Sequence, residues 1–148
     1  MPYQEAPAGW WQSFVTASPA RTAKVAVVRP DGSPHVSPVW VALDGDAGAE
    51  HVLFTSHESS VKTRALRRDP RISICWDDER PPFSFVTLLG TVELLDDLDQ
   101  LRHWATVIGG RYMGADRADE YGARNGVPGE FLVRVTPTRV IAKVDIAD

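Results

Sequence analysis

The sequence predicts a mainly-β protein, an antiparallel barrel with peripheral helices. Short apolar segments, several of them alternating, recur along the 148 residues, separated by turn signals. The predicted order is helix, three strands, helix, two strands, helix, two strands. Hairpin connections of this kind, without regular strand–helix alternation, argue against a doubly wound parallel sheet.

The elements follow in order. Gly9–Ala17 carries Trp10, Trp11, Phe14 and Val15 on one helical face, and Ser18–Pro19 ends it. Thr22–Arg29 alternates as a strand. Pro30–Asp31–Gly32 is a tight turn leading into a second strand, Pro34–Leu43. Pro38 inside that strand has no N–H for a ladder. It marks an edge, a bulge, or a place where something other than a strand lies alongside. A polar loop over Asp44–Glu50 precedes a third strand, His51–Ser56. Ser59–Asp69 reads as a short helix stopped before Pro70. Arg71–Asp77 and Phe83–Leu95 are the fourth and fifth strands. Asp97–Met113 is the strongest helix, with Leu98, Leu101, Ala105, Ile108 and Tyr112 on one face and Asp97 and Gln100 placed as a loose capping box. Ala115–Gly129 reads as a helical turn plus loop. Glu130–Thr136 and Arg139–Val144 close the chain as two strands around Pro137. Residues 1–148 are expected to form one domain: a helical segment over 1–20, barrel strands over 22–95, a helical insert over 97–129 and closing strands over 130–145.

Composition narrows the function. The hydrophobic fraction is 43% and the charged fraction 24%, those of an ordinary globule. A net charge of −4 argues against nucleic acid as the main partner. No run approaches a membrane span. The N-terminus has neither a basic region nor an apolar core of a signal peptide, so a cytoplasmic location is expected. The single cysteine, Cys75, lies in an apolar run and is expected to be packing. His35, His51, His57 and His103 have no zinc spacing, so no metal site is expected. No Gly-x-Ser-x-Gly elbow is present, and Gly109–Gly110 does not follow a strand, so it is no dinucleotide fingerprint.

The informative stretch is Thr55–Ser56–His57–Glu58–Ser59–Ser60–Val61–Lys62–Thr63–Arg64, where a strand ends and a helix begins. A helix N-terminus presents unpaired N–H groups and the positive end of the dipole, which suit phosphate. Ser59 or Ser60 can cap it. Lys62 and Arg64 in the first turn oppose the dipole unless an anion compensates. The same residues also fit a solvated basic helix face, continued by Arg67, Arg68 and Arg71.

Three segments carry a resemblance. They are Asp31–Trp40, then Leu53–Ser56, then Ser60–Arg71 with its Lys-Thr-Arg-x-Leu-Arg-Arg-Asp-Pro run. Together they resemble the pyridoxamine 5′-phosphate oxidase-like family, and within it the flavin/deazaflavin oxidoreductases that use coenzyme F420. The resemblance implies a six-stranded split β-barrel of the FMN-binding type and a homodimer with cofactor at the interface. It implies that Ser60, Lys62 and Thr63 hold the cofactor phosphate, within a site spanning Ser59–Arg64. Thr55 and Ser56 would lie near the ring or ribityl chain. Ser37, Pro38, Val39 and Trp40 would pass the ring edge, with His35 beside them. Trp76 would be a contact from the partner subunit. No side chain is singled out as catalytic.

The sequence departs from the family in three places. It lacks the C-terminal tryptophan-rich extension with the Arg-x-His motif of true pyridoxamine phosphate oxidases, so vitamin B6 oxidation is not expected. Position 60 is serine where close relatives carry arginine. Trp10–Trp11 stands outside the shared pattern. The expected function is hydride transfer between reduced F420 and an electron-poor small molecule. An FMN-dependent reductase and a non-catalytic flavin or haem binder are the alternatives. F420 bears an anionic tail beyond its phosphate. Arg64, Arg67, Arg68 and Arg71, with Arg21, Lys24 and Arg29, are the cations offered to it.

Overall fold

The computed structural model describes residues 3–147. Its strands are β1 (Gln4–Glu5), β2 (Ala23–Val28), β3 (Pro34–Val39), β4 (Ala42–Asp44), β5 (His51–His57), β6 (Arg71–Asp78), β7 (Ser84–Leu95) and β8 (Glu130–Val144). The helices are α1 (Trp10–Val15), α2 (Val61–Arg68), α3 (Leu98–Met113) and α4 (Ala118–Asn125). All strand pairs are antiparallel, in the order β3-β2-β6-β7-β8-β5-β4, with β1 added to β8.

Period-2 alternation decides which face is core. Ala23, Val25 and Val27 on β2, Ile72, Ile74 and Trp76 on β6, and Val86 and Leu88 on β7 are buried together with Phe54, Val133 and Val135. The same alternation turns Ser73 and Cys75 to the other face of β6. Cys75 is half-buried there, opposite Lys24 and Thr87, and is not the core residue expected.

Two strand assignments change. The expected second strand is broken into β3 and β4 at Trp40–Val41. These two strands occupy opposite ends of the hydrogen-bonded path, so two residues of chain join its ends where no ladder does. That makes the barrel split. With β3 and β4 counted as one bent strand and the two-residue β1 set aside, six strands remain, as expected. Backbone groups at the break cannot pair with a strand, and α3 satisfies them. The Val41 N–H donates to Tyr112 Oη (3.2 Å), the Tyr112 hydroxyl donates to the Arg21 carbonyl (2.6 Å), and Arg111 Nη1 donates to the Val41 carbonyl.

The expected closing pair is instead one strand, β8. Its register against β7 slips between Leu89 and Gly90, whose partners are Arg139 and Pro137. Thr138 is the extra residue of this bulge, and its hydroxyl donates to the Leu89 carbonyl (3.1 Å). The bulge absorbs Pro137, so the proline does not end the strand. Gly90 opposite leaves room for the close approach: a Cβ there would lie 2.6 Å from the Thr136 carbonyl oxygen.

On α3, Leu101, Ala105 and Ile108 are buried while Leu98 is exposed. Asp97 caps the helix, its Oδ1 accepting from the Gln100 N–H (2.9 Å). The segment after α3 is more ordered than expected. A short 3-10 turn at Ala115–Arg117 leads into α4. No described helix is long and apolar enough to cross a membrane.

Candidate functional site

The strand-to-helix turn after β5 is held by hydroxyls. Ser60 is the N-cap of α2, its Oγ accepting from the Thr63 N–H (3.2 Å). Ser56, Ser60 and Thr63 form a triangle, with Oγ–Oγ1 or Oγ–Oγ distances of 2.6–2.9 Å. In a closed ring of three hydroxyls each can give its one proton to a neighbour and accept one in return, and the Ser60 oxygen accepts a second time, from the Thr63 N–H. Thr63 is fully buried and Ser56 nearly so. These two pin the helix end to β5 and present no free hydroxyl to a ligand, contrary to the expectation that they contact cofactor. Ser59 is also engaged elsewhere: its N–H donates to His57 Nδ1 (3.1 Å), and its hydroxyl lies 2.7 Å from the same nitrogen.

Lys62 stands apart. It is half-buried in the first turn of α2, yet it has no carboxylate within 4 Å and no hydrogen bond to any described residue. Burial pulls its pKa below the ordinary lysine value, and Glu130 opposes this. Glu130, which pairs with His57 across β5 and β8, is raised by its own burial against the pull of His57 and Lys62. The N–H groups of Val61 and Lys62, ahead of the first helical hydrogen bond, also lack described partners.

Lys62 opens into a cleft of about 260 Å³ lined by Pro38, Val39, Trp40, Thr55, Ala105, Ile108, Gly109 and Asn125. Pro38 sits on β3, an end of the hydrogen-bonded path, where its missing N–H costs no ladder bond. Trp40 stacks on Tyr112 (centroids 5.2 Å, planes 4° apart) and tilts against Tyr121 (5.5 Å). The structure thus brings Pro38, Val39, Trp40, Thr55 and Lys62 to one place. Ser37 faces the interior beside Val25, its Oγ buried without a partner. His35 bonds to Arg29 (2.9 Å) and does not line the cleft. Trp76 is 0% exposed in the core, so it has no surface to offer a partner's cofactor.

The arginine field is thinner than the sequence suggests. Arg67 lies over the Phe131 ring (4.9 Å), Arg68 donates to the Arg29 carbonyl (3.0 Å), and Arg71 grips Asp69 (2.7 Å). Arg71 holds the Asp69 carboxyl down to about 2. Arg21 and Lys24 pair with Asp78 and Asp77. Arg64 and Arg67 are both exposed and make no hydrogen bond or ion pair with a described residue, and of the two only Arg67 lies over a ring.

The helical wall of the cleft was missed in the sequence. Ala105, Ile108, Gly109 and Asn125 come from α3 and α4. The available signal was Gly109 inside a strong helix, a position where glycine costs stability unless something approaches closely. A Cβ at Gly109 would lie 2.3 Å from Tyr121 Cβ, so the two helices meet there. Gly109→Ala is therefore expected to destabilise by about 2 kcal/mol: roughly 3 for overpacking less about 1 regained in helix propensity. Urea unfolding checks this, and a stabilised variant would show that α4 yields freely.

The fold and the cleft define a split-barrel protein with an unpaired cation at one end of the cleft and an aromatic wall. The chain belongs to the pyridoxamine 5′-phosphate oxidase family, which it matches over residues 12–143. Among solved structures, a conserved hypothetical protein of Mycobacterium tuberculosis is similar over 98% of this chain and 89% of its own, with 23% identity and a TM-score of 0.81. An F420 reductase is similar over 91% of this chain and 98% of its own, with 25% identity and a TM-score of 0.66. A FAD-binding protein of Mesorhizobium loti shares 20% identity, covering 96% and 97% of the two chains, with a TM-score of 0.65. No curated protein matches the chain in sequence.

Proposed function

We propose that this chain, a single split-barrel domain, is a cytoplasmic oxidoreductase that binds a flavin-type cofactor, preferring coenzyme F420, and reduces an electron-poor small molecule such as an enone, quinone or tetrapyrrole. The observation that carries the reading is Lys62, a half-buried ammonium without a partner in the cleft. A buried charge without a partner is costly, and an anion removes that cost. The residues fit a phosphate-bearing planar cofactor. Lys62 and the free N–H groups of Val61 and Lys62 would hold the phosphate. Trp40, Val39 and Ile108 would border the ring and keep water from it, and Thr55 would supply a polar contact. The bound cofactor supplies the hydride chemistry, and the protein supplies position and electrostatics.

The preference for F420 rests on two supports. One is the similarity to an F420 reductase. The other is Arg64, an exposed guanidinium without hydrogen bond or ion pair; it does not line the cleft and lies on another face of α2 from Lys62, so it serves only a tail that runs out of the cleft. Titrations of F420 and FMN at low and high salt test it. F420 is expected to bind more tightly at low salt, and to lose affinity with salt more steeply, because an exposed charge pair is screened. Tighter FMN binding at both salts would put an FMN reductase in its place, and saturable binding of neither would end the reading.

We infer in addition that two copies assemble, with the cofactor at their interface. Support comes from the outer face of β2, β3, β6 and β7, where Val36 is 61% exposed and Ala26, Val28, Pro34 and Leu89 line a shallow depression. Exposed edges and apolar faces of this kind favour burial against a partner. Light scattering is expected to give twice the 16.3 kDa chain mass, and a monomer at micromolar concentration would overturn the inference.

A further inference from the structure

A second cavity, about 490 Å³, lies away from the Lys62 cleft. It is bounded by α1, the turn before β5 and the bulged part of β8, and no residue lines both. Glu50 lies on its wall and is only 8% exposed. Its Oε1 accepts twice, from Gln12 Nε2 (3.0 Å) and from the Gly48 N–H (2.9 Å). Its Oε2 makes no hydrogen bond with a described residue and is not among the sealed-off polar atoms. No lysine, arginine or histidine of the described residues lies within 4 Å of this carboxylate. The carboxylate is therefore a buried anion with one oxygen tied down and the other open.

Next to it, Gln12 Oε1 is buried without a donor. The amide cannot gain by turning over, since its Nε2 would then leave Glu50 and an oxygen would face an oxygen. Gln12 Oε1 is sealed from the cavity, so Glu50 Oε2 is the acceptor of this pair that a ligand can reach. The rest of the wall includes apolar surface from Trp11, Pro137 and Val140. Arg139 and His51 are the other titratable groups lining the cavity, and Arg139 is exposed.

We propose that this cavity binds an organic ammonium ion with an apolar body, its N–H groups donating to Glu50 Oε2 and its body lying against Trp11, Pro137 and Val140. A buried carboxylate is stable when paired and hydrogen-bonded, which a monovalent ammonium achieves. The indole of Trp11 adds an attractive face for a cation. Arg139, exposed on the cavity wall, opposes any cation in proportion to its charge, so a monocation is opposed less than a dication. A bare divalent metal also finds no cluster of three or more suitable ligands among the described residues.

The test is calorimetric titration of the full chain with benzylamine at neutral pH, with benzyl alcohol as the uncharged comparator. Saturable benzylammonium binding is expected, at least tenfold tighter than benzyl alcohol. Glu50→Gln, which keeps the acceptor for Gln12 and Gly48 but removes the charge, is expected to weaken it at least tenfold. Lys62→Ala is expected to leave it unchanged, which separates this cavity from the cofactor cleft. Equal binding of amine and alcohol, no saturable amine binding, or full affinity in a folded Glu50→Gln protein would overturn the proposal. Were Glu50→Gln to fail to fold, the amine-against-alcohol comparison on the native chain would still decide it.

Discussion

Trp76→Ala is expected to lose about 3–5 kcal/mol of folding stability, the range for emptying a large buried aromatic site. The residue is fully enclosed on β6, between strands that contribute Val25, Ile74, Val86 and Leu88 to the same core. Those neighbours sit on paired strands and can collapse only in part, so most of the void remains. One feature works the other way. Trp76 Nε1 is buried with no acceptor among the described residues, an uncompensated polar group that already weakens the site. Trp76→Phe removes that group along with part of the volume, so its loss is expected to be well below that of alanine. Urea unfolding of the two variants, with m-values compared to confirm two-state behaviour, gives both numbers. An alanine variant as stable as the native chain would show that the indole is not core, and would restore it as a surface contact.

What the sequence could and could not show follows from the range of the forces involved. The alternation of Val25 and Val27, or of Ile72, Ile74 and Trp76, is a local pattern, and the strands it predicts are the ones that form. The turn from Thr55 to Arg64 was legible for the same reason, because capping and helix-end charge act within one turn. The break at Trp40–Val41 was not. Its backbone groups are satisfied by Arg111 and Tyr112, some 70 residues further on, and within Pro34–Leu43 Pro38 signals an irregularity without placing the break. The sequence reads α4 as part of a helical turn plus loop, and Gly122, Asn125 and Gly126 are poor helix residues. Tyr121 packs it against α3 regardless, so tertiary burial overrides propensity. Within the segment that residue type singles out, the sequence does not show each side chain's surroundings. Lys62 and Thr63 are neighbours in sequence, yet one opens into the cleft and the other is sealed in a hydroxyl triangle.

Lys62→Ala is expected to weaken cofactor binding by roughly 1.5–3 kcal/mol, about tenfold to a hundredfold or slightly more, the range for hydrogen bonds to a charged group. The same variant is not expected to lose stability. Lys62 forms no ion pair or hydrogen bond in the folded chain, and burial works against its charge. A lysine whose folded pKa is depressed is destabilising while it is charged. The penalty is greatest below that folded pKa and fades as pH rises from it toward the unfolded value near 10.5. Removing the side chain removes the penalty, so stability at neutral pH stays level or rises. Binding has the opposite sign. With the cofactor phosphate held by the ammonium as proposed, affinity for the native chain is expected to fall as pH climbs through the lowered pKa of Lys62. In the alanine variant that alkaline fall disappears. Arginine at this position keeps the charge but spreads it over a larger planar group, and is expected to recover only part of the affinity. Measuring affinity and unfolding free energy side by side distinguishes a ligand-binding lysine from a structural one. Unchanged affinity, or a loss of stability in place of a loss of binding, would remove Lys62 from the cofactor site.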